Sequence, residues 1–179
     1  AMKISIIHHA KSKGPSRCIR FTVDKPFRSL QILEGIKFPM KHRDTSEVNL
    51  GVTGLYFYSQ KHATRIFETL SGLEIVTSIN YLKNPSSFEH CDYALFNNSN
   101  NLTEVNILRF LEMIDKVLLL KKLSPKHFLV KFDSILIQKN IQRVKNEHFW
   151  QFDQRYYRSL VCFTEANYDL MYTSMTNPL

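Results

Sequence analysis

Apolar and polar residues alternate first at Ile19, Phe21 and Val23, with Arg20 and Thr22 between them. That is the signature of a half-buried strand. Lys25-Pro26 stops it, because proline brings no N–H to a ladder. Ser29 then reads as the cap of a short helix to about Ile36, with Leu30, Leu33 and Ile36 inward. Upstream, Ile4–Ile7 predicts an edge strand and His8–Ser16 an exposed loop. Residues 37–47 read as a second polar loop. Val48–Tyr58 carries Gly51 and Gly54, then becomes strand-like at Leu55–Tyr58. Thr64–Leu70 and Leu73–Leu82 flank Ser71-Gly72 and are rich in β-branched and aromatic residues, which predicts a tight hairpin.

Asn84–Ser87 reads as a turn and Phe96–Asn101 as a loop. Thr103 then caps a long helix in which Ile107, Leu111, Ile114 and Leu118 recur at helical spacing. Lys121-Lys122 suits its C-terminal end, and Ser124-Pro125 closes it. Phe128–Phe132 and Ile135–Ile137 predict strands around an Asp133-Ser134 turn. Residues 139–155 read as a helix, Tyr156–Phe163 as a strand, and Thr173–Leu179 as a fraying end. Neither a repeat nor a second domain emerges. The expectation is one α+β domain, an antiparallel sheet packed with a few helices. A flexible basic arm over residues 1–18, a globular body over 19–167 and a tail over 168–179 complete it.

Composition narrows the function classes. The chain has 179 residues, 44% of them hydrophobic and 12% aromatic, enough to bury a core. The longest apolar stretch, Val105–Leu120, is broken by Arg109, Glu112, Asp115 and Lys116, so no membrane span is expected. Met2–His8 is too short for a secretory signal, and Ala1 before Met2 reads as an expression scar. Three scattered cysteines fit a reducing compartment better than a disulfide framework.

The charge is segregated. Residues 1–43 hold ten cations, Lys3, Lys11, Lys13, Arg17, Arg20, Lys25, Arg28, Lys37, Lys41 and Arg43, against Asp24 and Glu34. That stretch carries the whole net charge of +8, since the remaining 14 cations and 14 acids cancel. Ten scattered cations most often form a solvated surface. Their segregation favours a polyanionic partner instead: lipid headgroups, RNA or an acidic protein surface.

Candidate chemistry is thin. His8-His9 with Cys18 lacks the paired close spacings of a zinc site. His90-Cys91 beside Asp92 resembles a nucleophile with its base, but strand neighbours point to opposite faces. Phosphate-loop, dinucleotide, metalloprotease and nucleophile-elbow motifs are missing. Gly51-Val52-Thr53-Gly54 lacks a lysine and reads as a backbone bend. Glu112 and Asp115 beside Lys116 read as solvated ion-pair partners. No enzymatic activity, cofactor or metal is expected.

In order, the landmarks are Lys25-Pro26-Phe27-Arg28 before a helix, Gly51-Val52-Thr53-Gly54, the Ser71-Gly72-Leu73 hairpin running into Thr77-Ser78-Ile79, Leu95-Phe96-Asn97-Asn98-Ser99, a long helix, Lys121-Lys122-Leu123-Ser124 and Asp133-Ser134-Ile135. This series, over about residues 19–137, resembles the globular domain of rhabdovirus matrix proteins. The resemblance implies a non-enzymatic structural protein of the virion and of the host cytoplasm, peripheral at the inner face of a membrane. Such a protein self-associates, binds anionic membrane and condenses the nucleoprotein–RNA complex during assembly and budding. The ten cations would be its membrane- or nucleocapsid-binding residues, with the basic arm led by Lys3, Lys11, Lys13, Arg17 and Arg20. No Pro-Pro-x-Tyr motif occurs, and some forty residues follow Ile137, which implies a divergent branch, one infecting plants. The competing expectation is a basic viral RNA-binding protein, such as a suppressor of host RNA defence.

Overall fold

The computed structural model describes residues 5–85, 91–133, 136–148 and 150–176. The expected class holds: the chain is α+β, with antiparallel sheets and packed helices. It divides into two compact units, Ala1–Phe88 and Glu89–Leu179, so the expected globular stretch 19–167 spans both.

The first unit runs β1 (Cys18–Val23), α1 (Phe27–Glu34), β2 (His42–Asp44), β3 (Val52–Tyr56), α2 (Gln60–Ser71) and β4 (Val76–Leu82). Its sheet has the order β2-β3-β1-β4. Alternation in β1 sends Ile19, Phe21 and Val23 to a core with Leu33, Ile36, Leu55, Phe57, Ala63 and Leu70. Between β2 and β3, a 3-10 turn over Val48–Leu50 ends at Gly51, whose φ of 79° is left-handed. A Cβ there would lie 2.6 Å from the Val23 carbonyl oxygen, so glycine is required.

The second unit runs β5 (Tyr93–Asn97), α3 (Glu104–Ile114), β6 (Val117–Ser124), β7 (His127–Phe132), α4 (Ile137–Glu147), α5 (Gln154–Ser159), β8 (Leu160–Cys162) and α6 (Tyr168–Thr176). Its sheet has the order β6-β7-β5-β8. Phe110 anchors the core, with its ring centroid 5.0 Å from Tyr157 and 5.4 Å from Phe152, both edge-on. In both units the spatial order is second, third, first, fourth strand. This is the split βαβ arrangement, βαββαβ, used twice. What recurs is connectivity rather than residues, so no repeat shows in the sequence.

Five local expectations are corrected. Thr64–Leu70 belongs to α2, because Ala63, Ile66, Phe67 and Leu70 recur at the helical period and pack on one core. Ser71-Gly72 ends that helix and turns no hairpin. The long helix stops at Ile114, where Asp115 is fully extended (φ −171°, ψ 172°); Leu118, Lys121 and Lys122 belong to strand β6. Phe96 sits inside β5, and Tyr156–Ser159 is helical before β8 begins. Ile137 opens α4 and is not a strand residue. Ile4, Ile135, Ser134 and Ser87 lie outside the described residues. The Thr103 cap stands: its hydroxyl accepts from the Asn106 N–H at 3.4 Å.

The basic arm is also corrected from residue 5 onward. Ile6 and Ile7 are 0% and 1% exposed, so this stretch packs on the first unit and does not stand off from it.

Candidate functional site

In the first unit α1 and α2 pack on one face of the sheet, which leaves a helix-free face on the other side; in the second, α3, α4 and α5 share one face, and α6 packs at the Tyr93 end of the other. Register assigns the side chains. In the first unit, Cys18 and Arg20 of β1, Gly54 and Tyr56 of β3, His42 and Asp44 of β2, and Asn80 and Leu82 of β4 share that face.

A strap made of the chain's own N-terminal residues covers it. Ile6 packs with Cys18, Tyr56 and Leu82. The Asp44 carboxylate accepts the Ile6 N–H at 2.7 Å and the Ile7 N–H at 3.2 Å. The Arg20 guanidinium donates to the Ile7 carbonyl at 2.6 Å. Lys11 then pairs with Leu82, and the Lys83 N–H donates to the Ala10 carbonyl at 2.8 Å along the edge of β4. Gly54 lies beneath the crossing, where a Cβ would be 2.8 Å from Ile7 Cγ2 and 3.0 Å from Ile6 Cγ1.

Burial works against the Asp44 charge. Hydrogen bonds from the Ser46 hydroxyl and N–H and from the Ile6 and Ile7 N–H groups outweigh it and hold the carboxyl below its usual range. Burial, then the nearby Asp44 charge, pushes the Cys18 thiol up to about 12.

The second unit presents a different face. Tyr93 pairs with Lys131, Leu95 with Leu129 and Asn97 with His127, and Lys121 of β6 lies beside Leu129. Lys131 Nζ sits 5.4 Å from the centre of the Tyr93 ring. His127 Nδ1 is 2.7 Å from the Ser124 hydroxyl. Asn97 and Lys121 are exposed, and His127 and Lys131 are half-buried. At the Tyr93 end, Phe163 continues β8 by donating its N–H to the Tyr93 carbonyl at 3.1 Å. Fully buried Tyr168 of α6 packs edge-on against Phe163 at 5.3 Å. Burial, then Tyr172, Asp169 and Tyr93, raises the Tyr168 phenol well above its ordinary value.

The ten predicted binding cations do not gather on one face. Lys3 lies outside the described residues. Lys11 and Lys13 are exposed along the strap. Arg17 is half-buried, with its carbonyl accepting from Phe57 and its N–H donating to the Asn84 side chain. Arg20 clamps the strap. Lys25 and Arg28 are exposed at the start of α1, with Arg28 5.8 Å from the Phe27 ring centre. Lys37 is exposed beyond α1. Lys41 is buried, its Nζ 5.6 Å from the centre of the Tyr56 ring, and Arg43 is half-buried in β2. The sequence reading missed the Tyr93, Lys131, His127, Lys121 and Asn97 set. Alternation across β5 and β7 was its only signal, and Phe96 and Asn97 had been assigned to a loop.

The described histidines scatter. His8 pairs with Glu47 at 3.0 Å, His62 stacks on Phe38 at 4.1 Å, and His148 ends α4. Among the described residues no cluster of His, Cys, Asp and Glu could hold a metal, and no helix is long and apolar enough to cross a membrane. A surface cleft of about 310 Å³ is lined by Asn106, Arg109, Gln151, Phe152, Asp153, Arg155 and Tyr156, with neither His nor Cys. In it Arg155 is already bound by Asp153 at 2.8 Å.

No family model and no curated protein matches the chain. Solved structures match. One is a Sex-lethal protein–RNA complex, with 13% identity, 72% of this chain and 89% of that chain covered, and a TM-score of 0.28. RNA recognition domains 1 and 2 of Sex-lethal from Drosophila melanogaster match at 12%, with 83% and 99% covered and a TM-score of 0.28. The N-terminal three RNA-binding domains of the yeast splicing factor Prp24 match at 15%, with 73% and 62% covered and a TM-score of 0.30. Likeness at these values carries no argument about what this chain binds.

The rhabdovirus matrix resemblance is corrected. The motif series does not keep its expected elements. Its hairpin is the end of a helix, and its Lys-Lys helix end is mid-strand. With it go the matrix role, nucleocapsid condensation and budding.

Proposed function

We propose that this chain is a non-enzymatic RNA-binding protein that takes single-stranded RNA on the second unit's sheet face opposite α3, at its Asn97 and Lys121 end. The observation that carries the reading is the pairing on the two central strands. Tyr93 beside Lys131 and Asn97 beside His127 share one sheet face, with Leu95 and Leu129 buried between them and Lys121 on the next strand. Single-stranded RNA needs such a set. Flat rings accept stacked bases, cations answer the phosphates, and an amide reads base edges. A net charge of +8 adds long-range attraction for a polyanion. The βαββαβ sheet supplies the rigid platform that RNA-recognition modules use.

Fluorescence anisotropy with a labelled oligouridine of about 12 nucleotides tests it, since single-strand sites span roughly 4–16 nucleotides per module. Binding should weaken steeply as salt rises. Lys131→Ala together with Lys121→Ala should weaken it about tenfold or more, whereas Lys25→Ala with Arg28→Ala should change it little. Equal losses from both pairs would reduce the interface to diffuse charge and end the proposal.

A further inference from the structure

We infer that residues 6–12 are a displaceable strap that keeps a second RNA platform, on the first unit, closed by the chain's own backbone. The nature of the ligand rests on the RNA reading above; the strap itself rests on geometry alone.

Three observations argue that the strap occupies a platform and does not merely complete the fold. First, the face beneath it has the same strand order as the second unit's face and carries Arg20, His42, Tyr56 and Asn80. Those are the residue types that take bases and phosphates. Tyr56 is 1% exposed under the strap, with Lys41 over its ring. Second, the strap holds the face by contacts a nucleic acid could replace. Arg20 donates to a backbone carbonyl, as it would to a phosphate oxygen, and Ile6 lies where a base would stack. Third, the first unit's larger buried cluster does not include the strap, whose Ile6 forms a separate small one with Cys18, Tyr56 and Leu82. The larger cluster is formed on the other side of the sheet by β1, β3, α1 and α2. Lifting residues 6–12 therefore leaves the sheet and both helices intact.

The seat is built for close approach. Gly54 removes the side chain that would hold the strap off, and Asp44 receives two successive backbone N–H groups. A competing ligand must first overcome that closure, which reduces apparent affinity by the fraction of molecules open.

Cys18 reports opening directly, because it is 0% exposed and packs beneath Ile6. The test is alkylation of the full-length native chain with N-ethylmaleimide, read cysteine by cysteine by peptide mass spectrometry. Oligouridine binding is measured in parallel. Ile6→Asp with Ile7→Asp should speed Cys18 labelling at least tenfold, leave amide exchange at Phe21 and Leu55 in the first unit's own sheet unchanged, and tighten RNA binding at least fivefold. The milder Asp44→Asn should move both readouts in the same direction by less. RNA should then protect Cys18 in the opened variant.

Faster amide exchange at Phe21 and Leu55 alongside faster Cys18 labelling in both variants would mean that the first unit unfolds and would overturn a separable strap. Faster Cys18 labelling with unchanged RNA affinity would overturn the platform while leaving the second unit's role standing. If the wild-type chain binds no RNA at all, the labelling arm still decides whether the strap opens, and the RNA reading alone fails.

Discussion

The two units share one strand order yet treat the sheet faces opposite α1 and α3 differently. In the first, a segment that turns between Ile6 and His9 crosses the sheet and is tied down by Asp44 and Arg20. In the second, Phe163 and Tyr168 cap the Tyr93 end and Leu95 and Leu129 are buried, while Asn97 and Lys121 stay exposed. Charge follows the same divide. Residues 1–88 hold 13 Lys and Arg against 6 acids, while residues 89–179 hold 11 against 10. The more cationic unit is the one whose platform is shut. A shared topology therefore does not set accessibility; the segments flanking each sheet do.

The sharpest way to break this contrast is to damage one unit and watch the other. Phe110→Ala removes the ring that Phe152, Tyr156 and Tyr157 surround and should cost the second unit about 3–5 kcal/mol. Hydrogen exchange should rise across β5–β8 while the Ile6 and Ile7 amides stay protected. Equal loosening of both units would show that they fold as one.

Asp44→Ala should act the opposite way. It strands two buried N–H donors at about 1–3 kcal/mol in total. Exchange at Ile6 and Ile7 should accelerate and the second unit should not respond. Gly54→Ala should have an effect of similar size or smaller, about 1–3 kcal/mol, because its methyl meets two isoleucine side chains that must shift. Cys18 labelling would register it.

Acid offers the same contrast without mutation. Asp44 has its carboxyl lowered in the folded state, so it contributes stability above the unfolded carboxylate value of 3.8, and that contribution fades as pH falls through the folded value. Below about pH 4, Ile6 and Ile7 exchange, corrected for intrinsic rates, should accelerate. No acceleration there would mean that Asp44 does not hold the strap. The smallest effect belongs to Thr103→Ala, about 0.5–1 kcal/mol on α3 alone, given the 3.4 Å cap bond.

Much of the fold was legible where one period dominates. Ile19, Phe21 and Val23 could only be a half-buried strand, and Thr103 with Ile107, Leu111 and Ile114 could only be a capped helix. The errors came where two signals overlapped. Thr64–Leu70 is β-branched and aromatic, yet its apolar residues recur every three or four positions, and that spacing decided the structure. Leu118 continued the helical spacing of α3 by coincidence, and an extended Asp115 cut it off. The strap was invisible because its hold comes from long-range partners: Asp44 for Ile6, Leu82 for Lys11. Charge counting found the cations but not their places. Arg20 and Lys41 are engaged beneath or beside the strap, whereas Lys131 and Lys121, from the neutral remainder of the chain, line the accessible face.

The 38-position separation of Ile6 and Asp44 along the chain also sets an order of events. Ile6 and Ile7 leave the ribosome before β2 and β3 and have nowhere to dock until those strands have paired, and Lys11 has no pairing partner until β4 arrives. Contacts so distant along the chain close late. During synthesis the first sheet thus passes through an interval in which it is formed but uncovered, and that interval is when a nascent-chain partner would meet it bare.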